Sequence, residues 1–466
     1  MEYGPFSHSR KMKLVLISPK GPLYRKRGGI FKRSLRYQPL TLTTLAALTP
    51  KDLPIDITLI DEGISEIPAD LQADLIGLTV ITGTAPRAYE LADQFRAKGI
   101  PVLLGGPHVT LLPEEAAEHA DSLCVGYAEQ TWPQLIHDFI AGNLQKIYRQ
   151  APDFDLSDTT LPFPERHRFN REDFLTQAVF EATRACAHNC EFCVAPTAWG
   201  RKQFQHPVDW IIQDIRQFVE RTGKRKLIFV DLNLVSDIGY AKQLFTALIP
   251  LKVQWFGLST VLIAHNYELM ELMARSGCKG LLLGLETVTS GSLKDAGKKF
   301  NSSVNYKELI GTLHKLGISI QGCFVFGLDH DTVDTFDATV ELAIDAGIDL
   351  PRFSILTPFP ATPLYQRLEQ EQRILTKDWS LYDAQHVVFQ PKLMTVQELE
   401  EGHERAWKKI YQYNNIVRRL WNAKNFQPLA ITANLGYRFY AHNLHKFYTC
   451  DWPIEHRPST IDVIKG

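Results

Sequence analysis

No stretch of this 466-residue chain approaches the ~18 consecutive apolar residues that a bilayer-spanning helix needs, so no membrane span is expected. An excess of charge of either sign is also missing. Fifty-one Lys and Arg against 52 Asp and Glu leave a formal net charge of −1, which gives no long-range pull toward nucleic acid or an anionic membrane. The one local basic run, YRKRGGIFKR (24–33), reads as a solvated loop. Cysteine is scarce. Seven residues, an odd number and mostly scattered, do not make the disulfide framework of a small secreted protein. The apolar run after the basic N-terminal patch is too short for an export signal, so a reducing cytoplasm is the expected setting.

What is present is globular, with 45% hydrophobic and 22% charged residues. From residue 13 to about 147, short β-rich runs (13–18, 56–61, 74–80, 101–106, 122–126) alternate with helical stretches (40–48, 85–99, 113–120, 131–142). That alternation predicts a doubly wound parallel sheet over residues 1–148, Rossmann-like, with ligands received beyond the carboxyl ends of its strands. Those ends include Ser18–Gly21, Thr82–Thr84 and Gly105–His108. A Pro-, Asp- and Thr-rich stretch within 149–177 reads as a linker. A second series follows over 178–360, with strand candidates at 178–183, 226–232, 252–258, 278–286, 318–327 and 350–356. Six strands with intervening helices predict a partial (β/α)6 barrel of the TIM type, with its chemistry at the carboxyl ends. Residues 361–466 form a helical, aromatic C-terminal region, in which 395–421 is read as one long helix.

The scarcity of cysteine makes one cluster conspicuous. ATRACAHNCEFCVAP (182–196) puts Cys186, Cys190 and Cys193 within eight positions, directly after a strand. Three thiolates on one short loop can hold three irons of a [4Fe–4S] cluster and leave the fourth open to a small molecule. Zinc held by the same cysteines with His188 or His206 is the alternative. The other four cysteines, Cys124, Cys278, Cys323 and Cys450, read as small buried hydrophobes.

The Cys-x3-Cys-x2-Cys spacing, with Phe192 before the last cysteine, resembles the radical S-adenosylmethionine (SAM) superfamily. The resemblance implies that the open iron chelates SAM and that one electron cleaves it to a hydrogen-abstracting 5′-deoxyadenosyl radical. GLET (284–287) resembles the family's SAM-contacting segment, which makes Glu286 a SAM contact; VDLN (230–233) likewise nominates Asp231, with Asn233 beside it. An external electron donor, such as a flavodoxin or ferredoxin, is implied as partner.

TPFPATPLY (357–365) and the order of domains resemble the cobalamin-binding branch of that superfamily. QPLTLTTLAAL (38–48), GLTVITGTAPRAYELA (77–92) and LLGGPHVTLLPEEA (103–116) resemble its cobalamin segments. Gly83, Thr84, Gly105, Gly106 and His108 are therefore the expected cobalamin contacts, with His108 as a loop or hydrogen-bonding residue rather than a cobalt ligand. The Asp-x-His-x-x-Gly motif of classical cobalamin domains is absent. The implied reaction is methyl transfer to an unactivated carbon of a small-molecule or lipid metabolite, with a second SAM supplying the methyl group through cobalamin. Ring closure or rearrangement by the same cofactors, and a non-catalytic iron–sulfur or cobalamin sensor, are the alternatives. RNA methylthiotransferases share the barrel but carry a second cysteine triad, whereas here only Cys124 precedes Cys186. In WSLYDAQHVVFQP (379–391), Tyr382, Asp383 and His386 are read as either substrate-orienting or packing residues.

Overall fold

The computed structural model describes residues 10–21, 37–423 and 428–444; the basic run 24–33 and Cys450 lie outside them. The chain divides into two compact units. The first comprises residues up to 179, with 197–199 and 378–383; the second comprises 180–196, 200–377 and the residues from 384 onward. The segment 149–177 thus folds with the first unit, and the C-terminal helices fold with the barrel. Among the described residues, no helix is long and apolar enough to cross a membrane.

The first unit is built on six strands: β1 (Met12–Ser18), β2 (Ile55–Asp61), β3 (Leu75–Thr79), β4 (Val102–Gly105), β5 (Ser122–Val125) and β6 (Ile147–Arg149). They run in the order β2-β1-β3-β4-β5-β6, every neighbouring pair parallel. MKLVLIS of β1 is apolar on both faces because both are covered. Val15 and Ile17 pack with Ala88, Leu91 and Phe95, while Leu14 and Leu16 point the other way, to Leu42, Trp132 and Leu135. The strand order reverses between β1 and β3, which opens a crevice at their carboxyl ends. Three-residue β6 is the strand that sequence patterning misses, being too short to show a period.

In the second part of the chain come β7 (Val179–Phe180), β8 (Thr183–Arg184), β9 (Phe204–Gln205), β10 (Lys226–Phe229), β11 (Gln254–Ser259), β12 (Cys278–Glu286), β13 (Ser319–Phe326) and β14 (Arg352–Ile355). Six of them form one sheet in the order β14-β13-β12-β11-β10-β7. The order is linear, so the barrel is partial and open. β8 and β9 pair antiparallel beside it.

The expected single helix over 395–421 is two helices, Val396–Ile410 and Tyr413–Ala423. The break falls where Tyr411 is drawn inward and its hydroxyl donates to the Pro351 carbonyl at 2.8 Å. Asn415 then donates to the Lys409 carbonyl at 2.8 Å, satisfying a group the broken helix leaves open. The tail that sequence patterning does not place forms a third helix, Pro428–Ala441.

These helices are tied to the barrel by Arg419, which is fully buried. Its guanidinium donates to the Ile348 and Asp349 carbonyls at 2.9 and 2.8 Å and to Asn434 Oδ1 at 2.8 Å. Arg419→Met is expected to leave these acceptors without donors and to cost about 3 kcal/mol of stability, read as a lowered unfolding midpoint, whereas the exposed Arg405→Met on the same helical region should cost well under half of that.

Candidate active site

The cysteine loop leaves the end of the first barrel strand, and a buried carboxylate holds its start. Asp231, which lies just past β10 and is fully buried, accepts from Ala182 N at 3.0 Å, Thr183 N at 2.5 Å and Thr183 Oγ1 at 2.8 Å. Burial, and then nearby Glu181, push its carboxyl up to about 7, against the pull of those hydrogen bonds. Asp231 thus braces the strand end that feeds the cysteines, while its neighbour Leu232 is exposed. Asn233 is buried, and its carbonyl accepts from Gln203 at 3.1 Å. Ala185, next to Cys186, sits in the left-handed region at φ 62° and reverses the chain into the loop. Within the loop, Cys193 N donates to the Cys190 carbonyl at 3.1 Å. Cys190 is buried; Cys186 and Cys193 are half-buried.

Beside the thiols lies a buried ion pair. Lys298 Nζ donates to Glu286 Oε1, with side-chain exposures of only 12% and 9%. Glu286 ends β12 in the left-handed region at φ 66°, where the register with β13 shifts. Gly284 makes room for the pair. A Cβ there would collide with the Glu286 carboxylate and stand 3.0 Å from Lys298 Nζ, so the glycine of GLET is a steric requirement. Burial pushes the Cys190 thiol up to about 11, and Lys298 is the main influence opposing it. Burial works against the Lys298 ammonium too, but Glu286 and Cys190 outweigh it and keep the cation.

The middle of the loop is held from another side. Glu191, between two of the cysteines, receives Arg367 Nε at 2.6 Å, and Arg367 Nη1 reaches Asp329 at 2.7 Å. The Glu191 carbonyl accepts from Leu364 N at 3.1 Å, at the start of the helix Pro363–Gln370, and its N–H donates to the Ala296 carbonyl at 3.3 Å. TPFPATPLY therefore serves to place Arg367 and Leu364 on the cysteine loop. Phe192 lines the small cavity enclosed by Glu191, Leu328, Asp329, Leu364 and Arg367. Lys298, Asp329 and Arg367 are the residues around the cysteine loop that sequence reasoning misses. None belongs to a motif, and only the fold brings residues so distant in sequence to one loop.

The residues fit an iron–sulfur cube better than a single ion. The three thiols influence one another electrostatically, yet among the described residues no three His, Cys, Asp or Glu side chains converge closely enough to hold one metal ion. Of the histidines a zinc site would recruit, His188 on the loop itself stacks on Phe300 at 4.7 Å, and buried His206 stacks on Trp210 at 4.1 Å.

In the first unit, Gly83 and Thr84 lie at the carboxyl end of β3, on the crevice where the strand order reverses, and Gly105 and Gly106 lie at the end of β4. The Thr84 hydroxyl is spent within its own turn, donating to the Ile81 carbonyl at 3.0 Å. Gly106 is left-handed at φ 106°, and a Cβ would meet the Val80 carbonyl at 2.7 Å. This edge of backbone fits a flat cofactor approached through main-chain groups. His108 is fully buried instead of standing at that edge. Its Nδ1 pairs with Thr82 Oγ1 at 3.3 Å and its Nε2 with Glu115 Oε1 at 3.2 Å. Glu115 also receives Tyr89 at 2.9 Å and Trp379 Nε1 at 3.1 Å. Burial raises the Glu115 carboxyl, but these hydrogen bonds outweigh it and hold it below the usual range. His108 thus fastens the segment 378–383 to the first unit. Tyr382 of that segment is 1% exposed and packs edge-on to Trp379, so its role in this structure is packing.

Comparison with known proteins decides the family. Residues 180–343 match the radical SAM superfamily and 32–136 the B12 binding domain, while 362–453 match a domain of unknown function. The chain is 32% identical to the bacteriochlorophyllide d C-12(1)-methyltransferase of Chlorobaculum tepidum, covering 82% of this chain and 84% of that one. This chain belongs to the cobalamin-binding radical SAM superfamily. A second relative in that organism, the bacteriochlorophyllide d C-8(2)-methyltransferase, is 31% identical over 83% of this chain and 88% of its own length. The radical SAM methyltransferase TsrM of Kitasatospora setae, solved with cobalamin and a [4Fe-4S] cluster, shares the fold at a TM-score of 0.60 and 16% identity, covering 78% of this chain and 75% of that one.

Two predictions concern the charges around the cysteine loop of this radical SAM barrel. Because folding raises the Asp231 carboxyl to about 7, its contribution to stability is greatest at low pH and is lost as pH rises through 7. Asp231→Asn retains an acceptor at Oδ1 and removes the buried charge. Its unfolding midpoint should therefore gain on wild type between pH ~5 and ~8, while Asp231→Ala strands the donors and loses about 2 kcal/mol at either pH. Lys298→Met leaves Glu286 buried without its cation and should cost about 3 kcal/mol, most of it recovered in the Lys298→Met/Glu286→Gln double variant. A double-variant loss equal to the sum of the separate Lys298→Met and Glu286→Gln losses would show the two residues to be uncoupled.

Proposed function

We propose that this enzyme transfers a methyl group from SAM to an unactivated carbon of a small-molecule substrate, using a [4Fe–4S] cluster and cobalamin. The observation that carries the reading is the three-thiol loop lying beside the Glu286–Lys298 pair at the end of a parallel barrel strand, in a chain that also contains a doubly wound B12 binding domain. When bound, the cofactors supply the reducing electron, the hydrogen-abstracting radical and the methyl donor.

The chain's own residues bind, orient and exclude. Cys186, Cys190 and Cys193 hold the cluster. Asp231, Arg367 and the backbone of Ala296 fix the loop that carries them. Glu286 takes the SAM amino group, and its fixed orientation comes from Lys298. Phe192 covers the side of the loop facing Asp329 and Arg367. In the first unit, the backbone edge of Gly83, Thr84, Gly105 and Gly106 receives cobalamin, and His108 supports that edge from behind through Thr82. An external flavodoxin- or ferredoxin-type protein delivers the electron. The names of the bacteriochlorophyllide methyltransferases support methylation as the outcome.

The test is anaerobic incubation of reconstituted protein with methyl-deuterated SAM, a low-potential reductant and bacteriochlorophyllide d. Formation of 5′-deoxyadenosine together with a product carrying the deuterated methyl is expected, and both should vanish in Cys193→Ala. 5′-Deoxyadenosine with an unlabelled, oxidised product would replace methylation by ring closure. No 5′-deoxyadenosine under any condition would reduce the protein to a sensor.

A further inference from the structure

The barrel carries a cation that the machinery described above does not use. Arg352 is the first residue of β14. Its neighbour Phe353 is buried against Phe324, Phe326 and Trp407, and Phe326 in turn meets Phe336 of the outer helix Val333–Asp345. Side chains alternate along a strand, so Arg352 turns to the opposite, inner face of the barrel. There it stands across from Cys323 of β13. Among the described residues it makes no hydrogen bond and no ion pair. Arg352 is exposed by surface area, yet burial is the largest single influence on its guanidinium.

The surroundings of this guanidinium suit an anion. Gln321, two residues before Cys323 and on the same face, donates to the Tyr437 hydroxyl at 3.2 Å. The hydroxyl oxygen is thereby used as an acceptor, and its own proton is left to donate. Tyr437 is fixed by stacking on Tyr411 at 5.5 Å and on Trp407 at 6.1 Å. Lys298, which also reaches Cys323 electrostatically, is already neutralised by Glu286. One uncompensated positive charge flanked by neutral donors matches a monoanion, such as a single carboxylate, better than a dianionic phosphate.

Register places this group with respect to the SAM end. Glu286 of β12 pairs with Phe324 of β13, and Phe324 with Phe353 of β14. Two strand spacings, about 10 Å, therefore separate the Glu286 and Phe353 positions across the sheet. Cys323 lies between, within electrostatic reach of Arg352 on one side and of Glu286 and Lys298 on the other.

We propose that Arg352, assisted by the Tyr437 hydroxyl, anchors a carboxylate of a tetrapyrrole-sized substrate on the inner face of the barrel. This rests on reading the barrel as the radical SAM active site. The anchor gives a role to a guanidinium that, among the described residues, faces inward without a partner.

The experiment compares two probes, protoporphyrin IX and its dimethyl ester, which share the macrocycle and differ in whether the carboxylates are free and charged or capped as methyl esters. Binding to the full-length protein is followed by the Soret shift without SAM or reductant. Wild type is expected to favour the free acid by roughly tenfold, the size of one charge-assisted hydrogen bond. Arg352→Gln should abolish that preference, Arg352→Lys should restore part of it, and Tyr437→Phe should weaken it by a smaller factor. Circular dichroism confirms that each variant is folded. Equal binding of the two probes by wild type, failure to bind the free acid, or an undiminished preference in Arg352→Gln would each overturn the anchor. SAM cleavage by wild type is assayed separately. Cleavage without acid preference sinks the anchor alone, and acid preference without cleavage sinks the radical reading while the anchor stands.

Discussion

The chemistry proposed for this protein depends on holding an irregular loop still. Cys186, Cys190 and Cys193 lie on a segment with no strand or helix between Arg184 and Val194, so nothing in the loop's own backbone pattern fixes the thiols. Rigidity is imported instead. Asp231 gathers the backbone at the start of the loop, Ala296 and Leu364 bind both faces of the Glu191 peptide, and Arg367 seizes the Glu191 side chain. These restraints come from three parts of the barrel. Each is a charged group or a backbone group satisfied at short range, the kind of support that keeps a functional constellation within the tolerance its chemistry demands.

The same site shows how buried charge is arranged in balance. Glu286 is held in a left-handed conformation that a non-glycine residue rarely adopts, and Lys298 lies against it in the space a side chain at Gly284 would have filled. The local strain and the missing side chain have one cause. A carboxylate must project beside the thiols from the end of a strand whose regular course would carry it elsewhere, and in that dry setting it must keep its counter-ion.

Much of the architecture was legible in the sequence, because its signals are local. The alternation of short apolar runs with helical stretches gives both parallel sheets, and β12 occupies the predicted span 278–286. The cysteine motif was readable for the same reason, since its three members fall within eight positions. What was not legible depends on long-range closure. The break after Ile410 is imposed by the Pro351 carbonyl, sixty residues away. Asp231 resembles a cofactor ligand in its motif, but its carboxylate is filled by Ala182 and Thr183. His108 is hydrogen-bonding, as its sequence context suggests, but its partners, Thr82 and Glu115, are supplied only by the fold. In each case a residue type suited to chemistry is engaged in building the support for chemistry, and sequence spacing does not separate those two uses.

Arg352 is the converse case. Nothing marks it in sequence, because LPRFSIL reads simply as a strand with one polar residue. The fold surrounds buried Arg419 with carbonyls and an amide, while among the described residues the Arg352 guanidinium has no hydrogen-bond partner. The two cations sit at opposite ends of one structural choice. Arg419 uses both terminal nitrogens to join the C-terminal helices to the turn before β14, and Tyr411 bonds the Pro351 carbonyl beside it. The C-terminal region therefore does more than follow the barrel in sequence: through Arg419 and Tyr411 it is bonded to the backbone just before the start of β14.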